Sequence, residues 1–573
     1  MVIGLLGDNV VSSAVAEQIA NSTTAIEHLG AADVAEQDLL VAAWTVGDER
    51  FDTVNGRLAD AEATLVAIEL GGIGGLPIES VEGAISILSP TGPCYRCLRT
   101  RVEAANSEAA ATPERDDSFS RLAGVYAGRL IDAADTDENA LPIGHVIEFP
   151  VIERTLLPVP GCVICDQTER WEPALPNASE HRTLDAAITA VERAHDDRLG
   201  IVTGISEAAS IPLPYYLATV ASTRGFSDVD APSQAAGVSV DWNEAFMKAM
   251  GEALERYGAG VYRESSFTYV TTQDRDDVIA PDAFVQPTPI CSPSQELPWV
   301  PAVDVSTEAP WLVPAEVVVF PPPSRHIRPA ITTGLSIDST ATGAVLGGLL
   351  EVIERDAAML AWYSAYEPLG IDVADHTFDR LTRLAAVERL RVSVTVITQD
   401  IDVPIIAAAV HRDDEWPRFA MGSAASLDPV DATIGATQEA LQNWTELNAM
   451  GHELATEEEP RIAGYADDPR EASQFVDPEI TVPASQLTSP VPDTPEMQVE
   501  HLASLAGAAG LTCLAASITP RDMRALGFEA VRVVIPEAQP LFTGSAYFGE
   551  RARTVPSAMG YRARPDREPH PFP

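Results

Sequence analysis

Two C-x-x-C pairs, Cys94–Cys97 in GPCYRCLRTR and Cys162–Cys165 in PGCVICD, constrain this chain more than any other feature. Each turn sets two thiols on one side of a point, and two such turns complete a tetrahedral set of thiolate donors. Redox dithiols and plain buried cysteines are the competing readings. Only six cysteines occur in the chain, and four of them in this pattern argue for one zinc site. Four thiolates leave no position for water, so the predicted site is structural rather than catalytic. Cys291 and Cys513 stand alone and are assigned to packing.

Residues 1–166 read as alternating strand and helix: VIGLLGD, VVSSAVAEQIA, DLLVAAW, ATLVAIELGG. That order predicts a small parallel α/β unit closed by the cysteine turns. The turn G-L-L-G-D-N lacks the G-x-G-x-x-G spacing of a dinucleotide loop and is read as a structural βα turn. The polar stretch 167–182 (QTERWEPALPNASEHR) is read as a linker, and a much longer unit runs from 183 to 573. Within it, the proline-rich residues 275–325 are expected to form loops and edge strands, with His326 a loop residue. The acidic stretch 453–496 is expected to be a loop-like insertion.

Charge narrows the function classes. Asp and Glu number 85 against 37 Lys and Arg, a formal −48 spread along the chain. Nucleic acid and anionic membrane are disfavoured partners, because both require clustered cations. A single lysine, Lys248, stands among the basic residues, and we read the composition as adaptation to a saline cytoplasm. The opening MVIGLLGDNVVSSAV has no basic residue before its apolar run, and no apolar run reaches the ~18 residues of a membrane span. A cytoplasmic protein is expected.

Three helical segments repeat one device. FMKAMGEALERYGAG carries Glu252, Glu255 and Arg256; AVLGGLLEVIERDAAMLAW carries Glu351, Glu354, Arg355 and Asp356; ATIGATQEALQNW carries Glu439 and Gln442. An acid followed three residues later by an acid or amide puts both on one helix face. Surface i,i+4 pairing explains any one of these helices. It fits the second poorly, since Glu351 and Glu354 sit in an apolar helix where unpaired carboxylates cost several kcal/mol. Three such pairs meeting in one cleft would hold hard cations, and with them nucleotide phosphates.

These blocks carry a family resemblance. ALERY, GLLEVIERDA, GSAASLDPVDA and QEALQ, with VRVVIPEAQPL near the end, resemble the YcaO family of ATP-dependent enzymes over residues 183–573. The cysteine-bearing unit resembles the degenerate ThiF-like, zinc-knuckled domain that accompanies YcaO proteins of azole-peptide pathways. The resemblance implies a large mixed α/β (α+β) domain after the α/β unit. It implies ATP and magnesium in a cleft lined by Glu252, Glu255, Glu351, Glu354 and Glu439, with Gln442 alongside. Arg256 and Arg355 would then pair with phosphates or orient the acids. Lys248 stands where the family often has Ser, either as a phosphate-side point charge or as an incidental surface residue.

The ending REPHPFP resembles the P-x-P-x-P terminus of azoline-forming members, through Pro569, Pro571 and Pro573. Alternating prolines fix φ and favour an extended form, so the segment either enters the cleft or remains a disordered tail. His570 is a proton carrier by residue type. The implied activity is ATP-dependent cyclodehydration of Cys, Ser or Thr in a ribosomal peptide to thiazoline or oxazoline. Thioamide or amidine formation on a peptide backbone, or a scaffold without chemistry, are the alternatives. Implied partners are the peptide, a separate leader-peptide recognition protein, a separate flavin dehydrogenase and a second copy of the chain in a homodimer.

Overall fold

The computed structural model describes residues 2–20, 25–31, 34, 37–61, 63–105, 117–134, 141–150, 152–166, 171, 174–175, 181–288, 292–488 and 490–573. Cys291 and most of the predicted linker lie outside the described residues.

In the first unit, the strands Val2–Leu6 and Leu39–Thr45 are almost wholly apolar, and Thr64–Leu70 is an apolar run broken by buried Glu69, the pattern of a sheet covered on both faces. They pair in parallel, with Ala25–Leu29 at the edge. Asn9 caps the helix Val10–Ile19 by accepting from the N–H groups of Val11 and Ser12, so the GLLGDN turn is a helix start. The expected parallel unit stops at Thr64–Leu70. Gly83–Leu88, His145–Phe149 and Ile152–Thr155 extend the sheet antiparallel. The connection from Leu70 to Gly83 is glycine-rich and folds into a small antiparallel ribbon, Gly72–Ile73 with Leu76–Pro77, instead of a crossover helix.

The second unit sets three long helices against three sheets. Trp242–Gly260 packs on an antiparallel sheet of Val202–Ala209, Tyr215–Val220 and Gln234–Val238. Ala341–Trp362 packs on Glu529–Val534 and Leu335–Asp338 of a six-stranded sheet. Pro429–Glu458 packs on Phe419–Ala425 and Ile405–His411 of a five-stranded sheet. Glycine permits the approach: a Cβ on Gly237 would stand 2.2 Å from Ala249 N, and one on Gly422 would stand 2.4 Å from Ala440 N. The small residues noted in the sequence therefore bring helix and strand together.

Two expectations for loops need correction. In the proline-rich stretch, Leu297–Asp304 is an interior strand. Trp299 pairs with both Thr268 and Pro314, and Val303 with both Pro310 and Ala515. On one side its two partners pair only with its ends, leaving Pro301 between them, which is how the strand accommodates a residue without an N–H. Just before the 453–496 stretch Gly451 takes φ 76°, and within it Pro460 starts a new helix, Pro460–Asp467. Thr481–Pro483 then joins Leu369–Asp372 in parallel. His326 lies in irregular chain, its N–H donating to Glu316 Oε2 at 2.7 Å. Cys513 is buried in a core cluster.

The two units share one apolar core, in which all four turn cysteines pack with Ala249, Ala253, Leu254 and Met523. Arg101, on the helix that follows Cys94, is fully buried and pairs with Asp522, which also accepts from Tyr257 Oη. Trp171 donates from Nε1 to Ser266 Oγ at 2.9 Å, and Arg182 Nη1 to the Leu526 carbonyl at 2.9 Å. Among the described residues no helix is long and apolar enough to cross a membrane.

Removing one member of a buried ion pair leaves the other charge stranded. Asp522→Asn is expected to destabilise the protein by about 3–5 kcal/mol, measured by urea unfolding, while Arg101→Met/Asp522→Leu recovers most of that loss.

Candidate active site

The three helices bring their acids close to one another, and most of these side chains are held by backbone donors. Glu252 accepts from the Ala236 N–H at 2.7 Å and from Arg256 at 2.5 Å. Glu351 accepts from the Gly334 N–H at 2.9 Å. Glu354 accepts from Ser423 Oγ at 2.6 Å and the Ala425 N–H at 3.2 Å. Glu439 accepts from the Ser423 N–H at 2.5 Å and from Arg355 at 3.1 Å. Ser423 thus ties the second helix to the third, and Arg355 lies 3.6 Å from Glu354.

The carboxylates crowd one another. Burial, with Glu351 and Glu252 beside it, pushes Glu255 well above the usual carboxylate range. Burial raises Glu351 as well, against Arg355 and the Gly334 N–H. Glu354 is pushed up to about 7 by burial, with Glu439 adding and Arg355 opposing. Desolvation and the neighbouring Arg328 pull Arg532 below the ordinary guanidinium value, although Glu351 and Glu255 face it. Arg256 Nε and Arg532 Nε have no hydrogen-bond partner among the described residues. Acids that repel one another beside donors with unmade bonds fit a cation carrying phosphate oxygens.

Gln442 donates to Glu446 Oε1 at 3.0 Å, and Glu446, raised chiefly by burial, also feels the charges of Glu252 and Glu439. Lys248 is solvent-exposed and donates to Gln438 Oε1 at 2.6 Å, not to an acid. Sequence reasoning missed Glu446, which continues the Glu439–Gln442 stripe at the next helical turn. It also missed Arg532, a lone arginine in an apolar strand, and Ser423.

The four turn cysteines form a second centre. Their sulfurs lie within 4.8 Å of one another, with Cys94–Cys162 at 3.7 Å, Cys97–Cys165 at 3.4 Å and Cys94–Cys97 at 3.9 Å. None is in a disulfide. Thiolates at ~2.3 Å from a tetrahedral zinc lie roughly 3.8 Å apart, so the donor set fits that ion. Further donors face the sulfurs: the Val159 N–H lies 3.3 Å from Cys97 Sγ, and Arg521 Nη1 lies 3.6 Å from Cys165 Sγ.

The proline-rich ending is built into the core beside the acidic residues. Trp362 Nε1 donates to the Glu568 carbonyl at 2.8 Å, and Tyr465 Oη to that of Pro569 at 2.6 Å. Arg461 donates to His570 Nδ1 at 2.7 Å, to the His570 carbonyl and to the Phe572 carbonyl at 2.9 Å. His570 Nε2 donates to the Phe542 carbonyl at 2.7 Å. Burial, then repulsion from Arg461 and Arg355, pulls His570 down to about 3. With both ring nitrogens engaged and no exposed surface, His570 is an anchor, which corrects the proton carrier expected from residue type. Pro571 and Phe572 are buried with it, while Pro569 is exposed and Pro573 half-buried.

The family model described as YcaO cyclodehydratase, ATP- and Mg2+-binding, matches residues 236–539, a span holding all three helices. An uncharacterized protein of Methanothermobacter thermautotrophicus is 26% identical over 380 residues, covering 63% of this chain and 96% of that protein. An uncharacterized protein in the tfuA 3' region of Rhizobium leguminosarum bv. trifolii is 27% identical over 272 residues, covering 43% and 61% respectively. A solved heterocyclase in complex with substrate and cofactor superposes with a TM-score of 0.74 at 18% identity, over 98% of this chain and 83% of that one. The heterocyclase TruD gives 0.67 at 15% identity, over 98% and 82%. At these identities the two structures show a shared fold, which includes the cysteine-bearing unit.

Two outcomes follow from this geometry. Cys97→Ser is expected to remove most bound metal, read by elemental mass spectrometry of the purified protein, and to lower its thermal midpoint. The stability contributed by neutral His570 is complete above its ordinary value of 6.5 and is lost as pH falls toward about 3. The urea midpoint is therefore expected to fall on acidification below 6.5 more steeply in the wild type than in His570→Asn.

Proposed function

Because this chain belongs to the YcaO family, we propose that it is an ATP-dependent peptide cyclodehydratase. The observation that carries the reading is the meeting of Glu252, Glu255, Glu351, Glu354 and Glu439 in one cluster, raised in pKa or bonded to backbone donors. These acids would hold magnesium, which would supply charge neutralisation for the phosphates of ATP. Arg256, Arg355 and Arg532 offer guanidinium donors to the phosphate oxygens.

In the proposed reaction a Cys, Ser or Thr side chain of the peptide attacks the preceding carbonyl carbon. The former amide oxygen then attacks the γ-phosphorus, and ADP leaves. Loss of phosphate from that carbon, with loss of the amide proton, forms the C=N bond of the azoline. Peptide and ATP become azoline peptide, ADP and phosphate. In this reading residues 183–573 carry the chemistry, residues 1–166 brace them through a structural zinc at the four cysteines, and 167–182 connect the two. The segment Pro569–Pro573 fixes one wall of the cleft, with Arg355 close enough to His570 to lower its pKa. Leader recognition and any oxidation to azole fall to separate proteins, and the cytoplasmic enzyme works as a homodimer.

The test is incubation with ATP, magnesium and Cys-containing peptides encoded near the gene, read by mass spectrometry. Loss of one water mass per ring is expected; exchange of oxygen for sulfur would replace this reading with thioamidation. Glu351→Gln/Glu354→Gln is expected to lower ATP turnover by about a hundredfold or more, and undiminished turnover would return the chain to a scaffold role. Deleting Pro569–Pro573 is expected to abolish ring formation while ATP still binds.

A further inference from the structure

Arg328, from the stretch SRHIRP, lines a small cavity together with Arg355. Arg355 is paired there, 3.1 Å from Glu439 and 3.6 Å from Glu354. Arg328 is not: among the described residues its guanidinium makes no hydrogen bond and no ion pair, and the Phe284 ring lies 5.9 Å from it. Glu316 is near enough to favour its charge, yet the Glu316 oxygens are taken by the N–H groups of His326, Ile327 and Arg328 itself. Burial pulls Arg328 below the ordinary guanidinium value, and Arg328 in turn lowers Arg532. Two further donors have unmade bonds. Arg532 Nε and Tyr547 Oη are buried without a partner among the described residues, and Tyr547 feels the Arg328 charge. Leaving a desolvated cation and two desolvated donors unbonded is costly, so a group that binds there recovers what the fold forgoes.

Three donor groups from separate stretches of chain suit an anion with oxygens on several sides. A carboxylate offers two oxygens in one plane, whereas a phosphoryl group offers three around an axis. The neighbours fix where that group belongs. Arg532 feels the charges of Glu351 and Glu255, so the anion lies against the acids assigned to magnesium. Pro540 in the cavity wall is two residues from Phe542, whose carbonyl accepts from His570, so the carboxy-terminal segment borders the same space. We propose that Arg328 and Tyr547 donate to the oxygens of the phosphoryl group in transfer from ATP to the amide oxygen, a proposal that rests on the ATP-dependent reading above. The bond to ADP breaks as the bond to the amide oxygen forms. Arg328 and Tyr547 stabilise the charge on the oxygens between and give up no proton. A guanidinium already desolvated and unpaired breaks no bond of its own to do so.

The probe is magnesium ADP with and without aluminium fluoride, which stands in for the phosphoryl group in transfer, titrated into the full chain by calorimetry with no peptide present. In the wild type aluminium fluoride is expected to tighten ADP binding about tenfold or more. Arg328→Gln is expected to bind ADP alone as the wild type does and to lose about tenfold of that tightening. Tyr547→Phe, which removes a hydroxyl that makes no bond, is expected to lose about threefold. Thermal midpoints are expected to stay level or rise in both variants, because neither group has a partner to lose. Full tightening in Arg328→Gln overturns the assignment, as does weaker ADP binding by the same factor, a fall of the midpoint in both variants, or no tightening in the wild type. Full tightening in Tyr547→Phe strikes Tyr547 from it. A wild type that binds no ADP overturns both this and the ATP-dependent reading. Tightening that depends on Arg328, in an enzyme that dehydrates no peptide, would overturn ring formation and leave the phosphoryl assignment standing.

Discussion

Burial of neighbouring carboxylates carried by three helices is the constraint around which this structure is arranged. Burial raises the pKa of Glu255, Glu351 and Glu354 first, and like charges nearby add to it. The fold answers with backbone N–H groups from Ala236, Gly334, Ser423 and Ala425, placed by three different sheets. Gly237 and Gly422 matter for the same reason, since a helix lifted from its strand would take its acid out of reach of the strand's donor.

The cysteine turns and the buried Arg101 are a second support. They draw the first unit into the core that carries the first acidic helix, rather than leaving it as an appendage. The outer surface is governed by different physics. Its acids are spread along the sequence, so the net charge bears on solubility and association rather than on the fold.

Legibility in the sequence followed the physics of each element. The strands Val2–Leu6 and Leu39–Thr45 are almost wholly apolar, and the cysteine spacing is a local geometric rule. The acid pairs were visible as helix-face spacing, and the structure joins the second helix to the third through Ser423 and Arg355 and the first to the third through Lys248 and Gln438. The antiparallel half of the first sheet was hidden because it depends on the glycine turn after Leu70. Leu297–Asp304 was hidden because its prolines suggest an edge, and only its pairing shows where a missing N–H is tolerated. His570 was misread because residue type says nothing about burial. Arg461, which holds the ending in place, lies in a stretch read as a loop.

The Arg101–Asp522 pair joins residues 421 positions apart in the chain. During synthesis the first unit therefore emerges with a bare arginine and an unfinished apolar face. At about 5–20 residues per second the ribosome needs roughly 20–80 s to supply the partner. Throughout that interval the nascent unit exposes surface that sticks to other unfinished chains. The joint that makes the mature molecule rigid thus makes its birth slow, and ties the yield of folded protein to whatever shelters that face.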